Sequence, residues 1–172
     1  MNDTLTEKFQ LLQDFGNVTI YMYDPKNFLK TIKEKAVSIF FNFSDNITDK
    51  HFSNVSEEIK TFEVYNAKAY LKNENLNFDD VLSFMKENGA SLIGVQGLML
   101  LWKRKKDYFE RGYDFVSLDE KKGMWSYLEN KYATAVLKHR KSGYIFDAEI
   151  ESVDKIIVNK QTAFLVFKKN GR

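Results

Sequence analysis

The stretch Gly89–Gly112, GASLIGVQGLMLLWKRKKDYFERG, decides how the chain is read. It holds the longest apolar run of the sequence, interrupted only by Gly94, Gln96 and Gly97. It then passes directly into Lys103-Arg104-Lys105-Lys106, the densest cluster of positive charge. Ala90 to Val95 is rich in Leu, Ile and Val and predicts a buried strand. Gly94 and Gly97 free the backbone for a sharp turn. From Leu98 the apolar positions Leu98, Leu101, Trp102 and Phe109 share a helical face. Gly112 stands where a helix end favours a left-handed residue, with Arg111 before it to complement the dipole. The expectation is strand, glycine turn, helix. The apolar run is too short to cross a bilayer, which takes about 20 residues.

That order has a chemical consequence. A helix N-terminus offers unpaired N–H groups, and glycines let an anion approach the backbone. Gly94-x-x-Gly97 ahead of four cations is therefore a candidate phosphate clamp, of the kind glycine loops form in some RNA-binding domains. The order of the surrounding elements does not follow such a domain. The plainer reading is a core strand turning into a surface helix whose basic turn is solvated.

Working outward, the 172 residues give room for one α+β domain with a sizeable core. The chain divides by charge into a possible acidic lobe (1–88) and a basic lobe (89–172). Residues 1–88 carry 10 Lys against 14 Asp and Glu, a balance of −4. Residues 89–172 carry 12 Lys and all 4 Arg against 10 acids, a balance of +6. Such asymmetry points to a polyanionic partner for the basic half or to two halves that attract one another. There is no cysteine, which excludes disulfides, thiolate metal sites and Cys nucleophiles and fits a reducing, cytoplasmic setting. Aromatic residues make up 15%, so a core or an interface rich in rings is expected. Frequent Lys, Asn, Ile and Phe fit an AT-rich genome. The Asn-x-Ser/Thr sequons before residue 57 follow from the same Asn-rich composition, since no secretion signal or membrane span is evident.

Along the chain, Thr4-Leu5-Thr6-Glu7 is a capping box that predicts a helix with Leu5, Phe9 and Leu12 as its stripe and Gly16 as its end. Asn17–Tyr23 predicts a strand, Asp24-Pro25 the start of a helix reaching Ala36, and Val37–Phe43 a second strand. Glu58–Leu71 reads as one long strand or bent hairpin with Ile59, Phe62, Val64 and Tyr70 as burial candidates. Asn77 caps a helix that closes at Lys86 and Gly89, with Asp79 and Asp80 in its first turn. Ser117-Leu118-Asp119-Glu120 is a second capping box, opening a long helix from Leu118 to Lys141 along Trp125, Leu128, Tyr132, Ala135, Val136 and His139. Tyr144–Val153 alternates, and Ile156–Val158 with Ala163–Phe167 predicts a hairpin. The expected fold is four or five helices packed on a mixed or antiparallel sheet, finished by a C-terminal antiparallel β-meander.

Chemistry-bearing patterns are sparse. No Walker A, Rossmann fingerprint, G-x-S-x-G, zinc spacing or H-E-x-x-H occurs, and only His51 and His139 are available for histidine chemistry. Asp147, Glu149 and Glu151 share a strand face. At about 7 Å between successive members they are too spread to hold one ion without other ligands, so an Mg²⁺-dependent nuclease ranks third. The leading expectation is a binding or accessory protein without catalysis, cofactor or metal. It would contact nucleic acid phosphates through Gly94, Gly97, Lys103, Arg104, Lys105, Lys106, Arg111, Lys138, Arg140, Lys141, Lys168 and Lys169. The alternative is a protein-interaction module whose basic face meets an acidic protein. Convergence of the basic runs on one face would favour the first. Neither the oligomeric state nor the choice between DNA and RNA follows from the sequence.

Overall fold

A computed structural model describes residues 8–20, 63–73, 76–118, 125–128, 131–141, 143–152 and 161–171. Its described strands form one eight-stranded mixed sheet. In chain order the elements are β1 (Phe9–Ile20), β2 (Glu63–Lys72), α1 (Phe78–Glu87), β3 (Ala90–Ser91) and α2 (Gly94–Lys105). A 3₁₀ turn (Lys106–Tyr108) follows, then β4 (Asp114–Ser117), β5 (Trp125–Leu128), β6 (Lys131–Arg140), β7 (Gly143–Ser152) and β8 (Thr162–Lys169).

β8 is the spine of the sheet. It pairs antiparallel with β2 along one edge, and on the other edge parallel with β4 and antiparallel with the short β3. β1 extends the sheet beyond β2, and β6 extends it beyond β4. β7 lies along the far edge of β6, while β5 pairs with β6 in line with β4. Strands β1 and β2 of the acidic half and β8 of the basic half are thus bonded into one sheet.

Residues Thr162 to Phe167 of β8 are all buried, because both faces of the sheet are covered. On one face Ala163, Leu165 and Phe167 join Tyr65, Ala67, Ala69, Phe115, Leu137 and Phe146 beneath α2. On the other, Phe164 and Val166 join Val116 and Val136 beneath α1, whose Val81, Phe84 and Met85 close that layer. Alternation along a strand sends successive side chains to opposite faces, and here both faces are dry.

α1 forms where local signals act together. Asn77 accepts from the Asp80 N–H at 2.9 Å, and Asp80 accepts from the Asn77 N–H at 3.0 Å, a complete capping box. Asp79 and Asp80 complement the helix dipole and Lys86 complements its end. α2 is of another kind. From Gln96 to Trp102 every residue is buried, so this part of α2 is a core helix covered all round, and Lys103 and Arg104 in its last turn are exposed.

Several expectations are corrected. The described residues hold two α-helices and a 3₁₀ turn, not four or five helices, and strands dominate. The predicted helix over Leu118–Lys141 is replaced by β5 and β6. Val136 and Leu137 are adjacent and both buried, on opposite faces. A helical stripe cannot place neighbours that way, whereas a strand covered on both faces does so and shows no alternation to read. The predicted N-terminal helix is replaced from Phe9 onward by β1. Register shifts between Leu11 and Gln13 and between Asp14 and Gly16 insert extra residues, so the period of two is lost and the spacing imitates a helix. Among the described residues β7 and β8 do not form a C-terminal meander, because β8 pairs with β2, β3 and β4, at the middle of the sheet. The strand expected over Ala90–Val95 shrinks to Ala90–Ser91, and the helix begins at Gly94.

The helix over Asp24–Ala36, the strands over Val37–Phe43 and Ile156–Val158, the Thr4–Glu7 box and His51 lie outside the described residues.

Candidate basic cleft

The ends of two of the basic runs, Lys106 of one and Arg140 with Lys141 of the other, meet at a cleft of about 690 Å³. One wall is the segment leaving α2, with Lys106, Asp107, Phe109 and Arg111; the other is the β6–β7 turn, with His139, Arg140, Lys141, Gly143 and Tyr144. Four cations face one carboxylate among these residues. Lys106, Arg111, Arg140 and Lys141 are all exposed, so their charges are accessible to a ligand.

Long-range polar contacts hold the walls together. The Tyr144 hydroxyl donates to the Glu110 carbonyl at 2.8 Å. Burial, together with the Glu110 and Asp114 carboxylates, pushes the Tyr144 phenol up to about 12, with Arg111 opposing. Asp114, at the start of β4, accepts from the His139 N–H at 2.7 Å and lies 3.5 Å from Arg140 Nη1. Arg140 also donates to the His139 carbonyl at 2.6 Å, so its guanidinium is folded back on its own strand and partly neutralised. Gln13, beside a bulge of β1, bonds to the first wall. Its amide nitrogen donates to the Tyr108 carbonyl, and its amide oxygen accepts from the Glu110 N–H at 3.1 Å.

Rings form the floor. Tyr144 lies 5.0 Å from Trp102 and 5.0 Å from His139, both edge to face, and Phe109 lies 5.1 Å from Trp102 and 4.8 Å from Phe115. Edge-to-face pairs of this spacing each add about 0.5–1.5 kcal/mol beyond the area they bury. The charged rims therefore stand on a packed aromatic base.

The remaining sequence candidates are dispersed. Lys103, Arg104 and Lys105 occupy the last turn of α2, where they complement its dipole. Lys138 pairs with Asp147 at 2.7 Å on the sheet face opposite to His139. Lys168 and Lys169 sit at the far end of β8, about 20 Å along the strand from Thr162, which pairs with Asp114. Lys169 bonds to Glu63. Gly94 and Gly97 are buried in α2. The Gly94 N–H donates to the Leu118 carbonyl at 3.0 Å, and the Gly97 N–H to the Ile93 carbonyl at 2.9 Å. A Cβ on Gly97 would stand 2.5 Å from Ile93 Cγ1 and 3.1 Å from Phe167, so close packing accounts for this glycine. Asp147, from the carboxylate strand, is occupied by Lys138. No group of three metal-ligating side chains occurs among the described residues.

Asp114, Gln13 and Tyr144 position the cleft, and sequence spacing did not single them out for it. Their partners lie from 25 to 97 residues away, so no local pattern marks them. No helix among the described residues is long and apolar enough to cross a membrane. Comparison with protein-family models, curated proteins and solved structures finds no match to this chain.

Proposed function

We propose that the chain is a non-catalytic cytoplasmic binding protein whose cleft takes the phosphates of a nucleic acid. The observation that carries this reading is the meeting of Lys106 and Arg111 with Arg140 and Lys141 around one open cleft. Cations from two distant segments are held there by Tyr144, Asp114 and Gln13, at the cost of mutual repulsion. A polyanion relieves that repulsion and releases its own counterions on binding. Three or four phosphate contacts correspond to an affinity that falls about 20- to 150-fold between ~50 mM and ~200 mM salt.

The test is a fluorescence-anisotropy titration of the chain against labelled single-stranded and duplex DNA and RNA at those two salt concentrations. Steep weakening with salt supports the reading. No binding at low salt, or binding indifferent to salt, overturns it. An acidic peptide that binds as tightly as the nucleic acids would also overturn it, and would point to an acidic protein partner.

A further inference from the structure

We infer that the nucleic acid taken by the cleft is single-stranded, with one base stacked on the ring of Tyr108. The inference rests on the reading above. Tyr108 is 62% exposed, although its neighbour Phe109 is buried in the aromatic floor. Its chain neighbours Asp107 and Phe109 both line the cleft, so the Tyr108 backbone runs along the wall that carries Lys106 and Arg111, and the ring stands outside the lining itself. Its backbone is fixed, because its carbonyl accepts from Gln13 and the next residues are tied by Glu110 to Gln13 and Tyr144. Lys105 Nζ lies over one face of the ring, 5.1 Å from its centroid, which adds a cation on that side and leaves the opposite face for the base.

An exposed ring on a fixed backbone, flanked by cations, is the arrangement that recognises unpaired bases: the charges follow the nucleic acid backbone while the ring offers a π-face to any base. A duplex keeps its base faces inside the stack and offers none to Tyr108. The ring therefore discriminates between single and double strands without reading sequence.

The experiment compares the wild-type chain, Tyr108→Ala and Tyr108→Trp on a labelled single strand of about 12 nucleotides, within the usual site size, and on its duplex. Tyr108→Ala weakens single-strand binding about 5- to 150-fold, the effect of losing one base–ring stack. It leaves duplex binding and the thermal melt unchanged. Tyr108→Trp keeps the affinity, and its added fluorescence is quenched by the single strand and not by the duplex. Equal losses on both ligands, no loss on the single strand, or a wild-type preference for duplex would overturn the inference and leave the phosphate cleft standing. Absence of salt-dependent binding by the wild-type chain would overturn both.

Discussion

The Tyr144 hydroxyl donates a 2.8 Å hydrogen bond to the carbonyl of Glu110, joining the β6–β7 hairpin to the segment that leaves α2. Lys141 and Arg140 precede Tyr144, and Arg111 follows Glu110, so this bond helps set the distance between the two positive walls. Tyr144→Phe keeps the ring packing and removes the bond. The Glu110 carbonyl lies in an exposed segment where water replaces the donor, so the stability loss sits within about 0.5–1.5 kcal/mol. Urea unfolding measures it, and a loss above about 3 kcal/mol would show that the ring itself had moved.

The same phenol gives a pH signature. Its folded value of about 12 lies above the ordinary tyrosine value of 10.0, so the folded state holds the proton more tightly. Its contribution to stability is complete below pH 10 and is lost as pH rises towards about 12. The stability difference between the wild-type chain and Tyr144→Phe therefore shrinks over that window. A difference that is flat or grows from pH 10 to 12 would contradict the assignment.

Asp114 restrains the cleft's charge while supporting its geometry. Asp114→Asn retains an acceptor for the His139 N–H and removes the negative charge beside Arg140. Polyanion affinity at low salt is expected to rise about two- to fivefold, in keeping with the modest worth of a partly exposed ion pair. Weaker binding by a folded Asp114→Asn would show that Arg140 needs its carboxylate to be held in place.

Gly97 decides how closely α2 approaches β8. Alanine is the better helix former by about 1 kcal/mol, but its methyl would meet Ile93 and Phe167 at distances that force a shift. Overpacking of this kind costs about 1–3 kcal/mol. Gly97→Ala is expected to lower the denaturant midpoint; a raised midpoint would mean that the Ile93 side chain swings aside freely.

Much of this architecture follows from signals that act over a few residues. Asn77 and Asp80 are three positions apart, and their capping box marks α1 in sequence as it does in the structure. The apolar and aromatic runs of β2, β7 and β8 likewise mark strands, though not their partners. The strand over Asn17–Ile20 was legible, whereas the first part of β1 and the middle of β6 were hidden for physical reasons: two bulges break the alternation before Asn17, and burial of the neighbours Val136 and Leu137 on opposite faces removes it from β6. Nor did spacing reveal that Lys106 and Arg140 share a cleft while Lys138 and Lys168 do not. Lys138 is separated from His139 by the pleat, and Lys168 from the cleft by the length of β8.

The most direct measurement is the salt slope of nucleic acid binding for two charge-neutralised variants beside the wild-type chain. One carries Lys106→Gln, Arg111→Gln, Arg140→Gln and Lys141→Gln; the other carries Lys168→Gln and Lys169→Gln. The cleft variant is expected to lose about 3 from the slope of log affinity against log salt, while the β8 variant keeps the wild-type slope. A cleft variant with an unchanged slope, or a β8 variant that flattens it equally, would contradict the claim that the phosphates are taken between α2 and the β6–β7 turn.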